Sequence, residues 1–135
     1  DGQLVVLDPV TLEPARGALP AVGEGVGTLG LSADGRRLVV VDGVDNDVRF
    51  YDVEGRVQYG DAIAGGTPDG GAAVRHDGME AAVTTESGIV VWDLNPARWR
   101  EAACRLAGRN LTRAEWADYI GDLAPYRLTC PEYPA

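Results

Sequence analysis

The chain has 135 residues, with 12 basic against 21 acidic side chains and a net charge of −9. That length suits one modest core, and the 45% hydrophobic content excludes a disordered polymer. The longest aliphatic run, residues 38–41, is far short of the ~20 apolar residues of a membrane span. Every basic residue is arginine, and no basic stripe lines up against phosphate, so nucleic acid and membrane are disfavoured as partners.

In chain order, residues 3–8 and 14–19 read as two strands. Residues 26–62 read as four, and residues 70–94 as three more. Three strands end alike, on a large side chain followed by aspartate: Leu7-Asp8, Tyr51-Asp52 and Trp92-Asp93, the aspartates 44 and 41 residues apart. A second marker recurs at a spacing of 43, Asp34-Gly35 and Asp77-Gly78. Asp-Gly between apolar runs signals a hairpin, because glycine accepts the positive φ of a tight turn. One unit therefore reads strand, Asp-Gly turn, strand, polar turn, strand ending in aromatic-Asp, strand. Leu31, Leu38, Val40, Phe50, Val83 and Val91 are the expected core between sheets.

Four antiparallel strands in about 40–45 residues make the blade of a β-propeller. Residues 26–41 with Val48-Arg49-Phe50-Tyr51-Asp52, and the Trp92-Asp93 dipeptide, resemble the WD-repeat family across about residues 1–94. The family's Gly-His dipeptide is absent, and the single histidine, His76, falls in an Asp-Gly turn. The family's buried His–Ser/Thr–Asp–Trp chain is therefore incomplete, and apolar packing must carry the blades. The expected fold is all-β, a partial propeller with a small C-terminal α-helical extension. The chain reads as starting mid-blade and ending on a three-stranded blade. Its missing strands are expected from the rest of the protein or from other chains, since four or more blades usually close a ring.

At residues 94–96 the composition changes: residues 1–93 carry 6 Arg and 16 acids, residues 94–135 carry 6 Arg and 5 acids. Asn95 is a good N-cap and Pro96 a good first helical residue, opening a helix to Ala107 that Gly108 stops. Its apolar face is Trp99, Ala103, Leu106 and Ala107. Thr112-Arg113-Ala114-Glu115 is a capping box opening a second helix to about Ile120, with Trp116, Tyr119 and Ile120 as its face. Trp99, Leu106, Trp116 and Tyr119 are the side chains expected to dock this extension, residues 95–135, on the terminal blade. Cys104 and Cys130 either pair, closing a loop of about 26 residues for roughly 3 kcal/mol, or stay reduced as cytosolic thiols do. The tail, Trp99 through Tyr119 and then Pro125-Tyr126-Arg127 with Thr129-Cys130-Pro131, resembles the C-terminal extension of large actinobacterial WD-repeat proteins. That resemblance implies a cytoplasmic signalling context, in which a propeller follows an NTPase, protease or kinase module.

No catalytic constellation emerges. Asp42, Asp45, Asn46 and Asp47 form the densest acidic cluster, but they miss the EF-hand spacing and read as an exposed hairpin turn. His76, with Thr84 and Ser87 nearby, lacks a nucleophile elbow. The glycine-rich residues 65–71 lack the Lys-Ser/Thr of a phosphate loop and read as a connector. No metal and no cofactor is expected, and two cysteines without a nearby histidine make no zinc site. The expected role is a non-catalytic scaffold or sensor that recognises protein partners. The alternative is part of a ligand-binding or enzymatic propeller, lactonase-like or quinoprotein-like, with its active site in other blades.

Overall fold

From Val26 onward the chain runs through eight strands: β1 (Val26–Leu31), β2 (Arg37–Asp42), β3 (Asp47–Asp52), β4 (Val57–Gln58), β5 (Ile63–Ala64), β6 (Ala72–Val74), β7 (Glu80–Thr85) and β8 (Gly88–Asp93). Helices α1 (Pro96–Ala107) and α2 (Arg113–Tyr119) follow. The computed structural model describes residues 3–15, 17–20, 25–67 and 69–134. It divides the chain into two compact units that meet between Leu94 and Asn95.

In the first unit, β1, β2 and β3 pair antiparallel in sequence order, and β6, β7 and β8 do the same in a second sheet. The two Asp-Gly turns are built identically. Gly35 and Gly78 sit at φ 71° and 72°. Their N–H groups donate to Ser32 O and Arg75 O, and the Asp34 and Asp77 carboxylates accept from Arg36 N and Met79 N. Each third strand then closes on its turn, Val53 N donating to Arg36 O and Leu94 N to Met79 O.

The expected single fourth strand of the first sheet is broken in two. β4 and β5 both pair with β3, Tyr51 facing Gln58 and Val48 facing Ile63. Three steps along β3 thus span five along its neighbour. The surplus is taken up around Gly60, whose φ of 62° suits glycine. The expected strands at residues 3–8 and 14–19 form an irregular ribbon instead, with one bridge, Leu7 to Pro14. Leu19 N donates to Leu4 O and Ala15 N to Val6 O. Two steps from Val6 to Leu4 face four from Ala15 to Leu19, so the ladder loses its register there and no regular pair forms; Arg16 lies outside the described residues.

Alternation sorts the core into two layers. Val39, Val41, Val48 and Phe50 face the second sheet and pack with Ala81, Val83 and Leu94. Leu38, Val40, Tyr51 and Val53 face the ribbon and pack with Leu4, Val6 and Leu19. β2 is therefore buried on both sides. Leu31 and Val91, expected in the core, are exposed. Leu31 shares the face of Leu38, but the ribbon has too few strands to reach β1. Val91 lies on the outer face of the second sheet, opposite the buried Ala81 and Val83.

In the second unit, Asn95 Oδ1 caps α1 by accepting from Ala97 N, and Gly108, at φ 63°, ends it with its N–H on Cys104 O. Thr112 and Glu115 make the reciprocal capping box of α2. The buried side of α1 centres on Cys104 rather than on Trp99 and Leu106, because the C-terminal segment is fastened there. Trp116 is buried, its Nε1 donating to Ala124 O and its ring edge-on to Tyr126. Trp99, Leu106 and Tyr119 are exposed. Among the described residues no helix is long and apolar enough to cross a membrane.

Candidate functional site

Four of the aspartates that mark the repeat, Asp8, Asp34, Asp52 and Asp77, are engaged with their own turns. Asp8 Oδ1 accepts from Val10 N and Thr11 N, Asp34 Oδ1 from the Ser32 hydroxyl at 2.6 Å, and Asp77 holds Arg75 by two 2.8 Å bonds. The Thr11 amide, the Ser32 hydroxyl and the Arg75 guanidinium, respectively, are the main reasons these three carboxyls stay below the usual range. Asp52 accepts from Gly55 N, its main cause of a lowered pKa, and also from Arg37 and the Tyr59 hydroxyl. Arg37 additionally stacks over the Tyr59 ring. This Asp52–Arg37–Tyr59 cluster ties β2, β3 and the start of the fourth strand. Sequence reasoning missed Arg37 and Tyr59, for which the spacing offers no signal.

The acidic cluster does form an exposed turn at Gly43, Val44 and Asp45, but Asp42, at its start, departs from that expectation. Asp42 is fully buried, with Oδ1 accepting from Val44 N and Asp45 N and Oδ2 paired to Arg49 at 3.3 Å. The second arm of Arg49 reaches Asp47, also at 3.3 Å. Burial pushes the Asp42 carboxyl up, but the two amides and Arg49 outweigh it and hold it below the ordinary value. Sequence reasoning missed this pairing; the arginine set between the apolar Val48 and Phe50 is the one feature that could have pointed to it. Burial raises the nearby Tyr51 phenol, whose hydroxyl has no partner among the described residues. Trp92 Nε1 is likewise buried without a partner, its ring 5.9 Å from Phe50. The aromatic-Asp markers Tyr51 and Trp92 thus serve as packing groups.

His76 lies exposed in its turn. In the connector, Gly70 N donates to Thr67 O and Gly71 N to the Thr84 hydroxyl, holding it to β7 with no phosphate-loop geometry; Pro68 lies outside the described residues. Among the described residues no group of three His, Cys, Asp or Glu side chains is placed to hold a metal.

The second unit is built around Asn110. Its buried amide accepts from Cys130 N at 2.7 Å and donates to the carbonyls of Tyr133 and Pro134 at 2.9 Å each. Cys104 and Cys130 are joined in a disulfide with Cα atoms 5.5 Å apart. Leu111 N donates to the Thr129 hydroxyl and the Tyr126 hydroxyl to Leu111 O. A groove of about 300 Å³ runs beside the disulfide, walled by Ala103, Ala107 and Leu111 with Arg100 and Arg109 at its rim. Arg109 is committed to a two-pronged pair with Glu115, at 2.7 and 2.6 Å, which holds that carboxyl down to about 2. Asn110 was legible only as one letter of the tail resemblance.

Neither protein-family descriptions nor curated proteins return a match for this chain. Among solved structures it is similar to dihydro-heme d1 dehydrogenase NirN in complex with DHE, a cytochrome d1-type β-propeller. The TM-score is 0.52 and the identity 25%, over 70% of this chain and 20% of that one. The fold is thus antiparallel sheets stacked as propeller blades, with two short helices. The chain spans about a fifth of the structure it resembles.

Proposed function

We propose that this chain is a non-catalytic propeller segment that recognises protein partners within a larger, WD-repeat-like bacterial signalling protein, as the tail resemblance implies. One observation carries the reading: four of the recurrent aspartates that could have supplied acid–base or metal chemistry, Asp8, Asp34, Asp52 and Asp77, are bonded to their own turn amides, Asp52 and Asp77 to arginines as well. What the turns offer outward is a set of fixed polar surfaces, such as the exposed Arg36–Glu54 pair at 3.2 Å. Purification of the intact polypeptide should yield a protein partner at fixed stoichiometry, weakened by Arg36→Glu. The proposal includes a cytoplasmic setting, against which the disulfide weighs. Two free thiols in freshly extracted protein support that setting; none argues for an oxidising compartment.

The likeness to NirN favours a second reading, a propeller that binds or transforms a ligand through other blades. Equilibrium dialysis against a tetrapyrrole and elemental analysis of the intact polypeptide separate the two. A stoichiometric tetrapyrrole or metal decides for the second.

A further inference from the structure

Residues 124–134 form a strap that contains no helix and no strand. Among the described residues, no backbone-to-backbone hydrogen bond joins it to α1 or α2. Side chains hold it instead. Tyr126, Thr129, Cys130, Tyr133 and Pro134 bond to Asn110 or Leu111, in the link between the helices, and Ala124 O accepts from Trp116 Nε1. The covalent tie is Cys104–Cys130, which fixes the strap to α1 itself. Cys130 carries both kinds of tie, since its N–H donates to Asn110 Oδ1 at 2.7 Å. Opening the disulfide therefore loosens the residue at the centre of the amide clasp. The neutral bonds that are left must then hold an irregular segment against its conformational entropy.

We infer that the Cys104–Cys130 bond is a reversible redox latch, opened by an external dithiol and closed by a disulfide oxidant, that controls whether the strap stays on the helices. Access comes through the groove beside it. Both cysteines are buried, yet both line that space of about 300 Å³, the volume of about ten waters at ~30 Å³ each. Arg100 at its rim brings positive charge to where a thiolate enters, while Arg109 is spent on Glu115. One thiolate of the dithiol attacks Cys104 Sγ and forms a mixed disulfide there. The Cys104–Cys130 bond breaks, and its electron pair leaves on Cys130, which takes up a proton. Cys130 is the leaving side because it sits on the strap, free to withdraw. Cys104 lies in the last turn of α1, where the helix dipole disfavours a thiolate. The second thiolate of the dithiol then closes on the first sulfur and expels Cys104, which is protonated in turn. The dithiol ends as its own disulfide, and the protein gains two electrons and two protons. The inference rests on contacts within this unit and stands whichever functional reading holds.

Release changes what the unit presents. Trp116 is buried with its ring edge-on to Tyr126 of the strap at 5.6 Å, and Arg113 lies 4.4 Å from the centre of the same Tyr126 ring. Without the strap, the indole N–H loses Ala124 O, and the Asn110 amide loses Cys130 N and two carbonyls. An aromatic ring and a polar hub that the oxidised unit keeps covered are thus presented by the reduced one, under the control of one bond.

The test follows amide hydrogen exchange, read residue by residue by mass spectrometry, in the intact natural polypeptide below the melting of the helical unit, with and without dithiothreitol. The reporters are the Cys130 and Leu111 amides, each bonded across the contact between strap and link. Reduction should speed their exchange about 100-fold, the factor expected on opening a loop closed across 26 residues. Residues 37–52 of the sheets should be unchanged. Transfer into oxidised glutathione should restore the protection. The variant carrying Cys104→Ser and Cys130→Ser should exchange at the reduced rate with or without dithiothreitol, which separates this bond from any other cysteine of the polypeptide. A bond that yields to dithiothreitol only in denaturant is a sealed structural cross-link and overturns the inference. So does reduction that leaves both amides protected, that exposes α1 as much as the strap, or that oxidised glutathione fails to reverse.

Discussion

The two units solve the same problem with different chemistry. Residues up to Leu94 bury valines, Phe50 and Tyr51 in layers on both sides of one sheet, and polar links enter at strand ends. Beyond Asn95, the described buried side chains are Cys104, Asn110, Trp116 and Cys130, two of them joined covalently and one a hydrogen-bonding hub. A unit of that size cannot gather enough apolar area to offset its conformational entropy, so cross-links and polar hubs take over. Sheets that stack gain from every repeat added.

The comparison breaks most visibly if each unit is deprived of its own device and the two melting transitions are followed separately by calorimetry. Phe50→Ala should destabilise the sheet unit by about 3–5 kcal/mol, through lost transfer energy and a cavity facing Trp92 and Val83, and leave the helical transition in place. Cys104→Ser with Cys130→Ser should cost the helical unit roughly 3 kcal/mol, enough to unfold it at moderate temperature, with no change in the sheets. Asn110→Ala should cost about 2 kcal/mol, because Cys130 N and two carbonyls lose a buried partner. Proteolysis should then start in residues 124–134.

The smallest effect sharpens the contrast by pH. Glu115 titrates near 2 in the folded unit against an ordinary 4.5. The unfolded chain therefore takes up the proton first, and the stabilisation is complete above pH 4.5 and declines as pH falls towards 2. Glu115→Gln should flatten that decline in the helical midpoint and leave that of the sheets untouched.

What the sequence could express was local chemistry. Asp34-Gly35 and Asp77-Gly78 announced their turns because a positive φ and an Asx bond need no tertiary partner, and Asn95-Pro96 and Thr112–Glu115 announced their helices for the same reason. Leu31 and Val91 were misplaced because alternation reports that a strand has two faces, not which of them another sheet covers. Asp42 with Arg49 was hidden for a related reason: the pairing joins neighbouring strands, and the composition of the turn between them resembles that of a solvated loop. Asn110 has no periodic signature, since its partners lie about twenty residues away in an extended segment.

The interruption of the fourth strand has a consequence for life in solution. An unbroken outermost strand would present a straight row of unpaired amides and carbonyls, a template on which another chain could grow into aggregates. Here five residues cover the length of three, and Gly60 turns the backbone at φ 62° between β4 and β5. Neither two-residue piece offers a register long enough for an incoming strand to zip onto. The kink at Gly60 thus acts as a guard on that rim of the sheet, and straightening it by deleting Gly60 and Asp61 would trade a tidier ladder for a stickier protein.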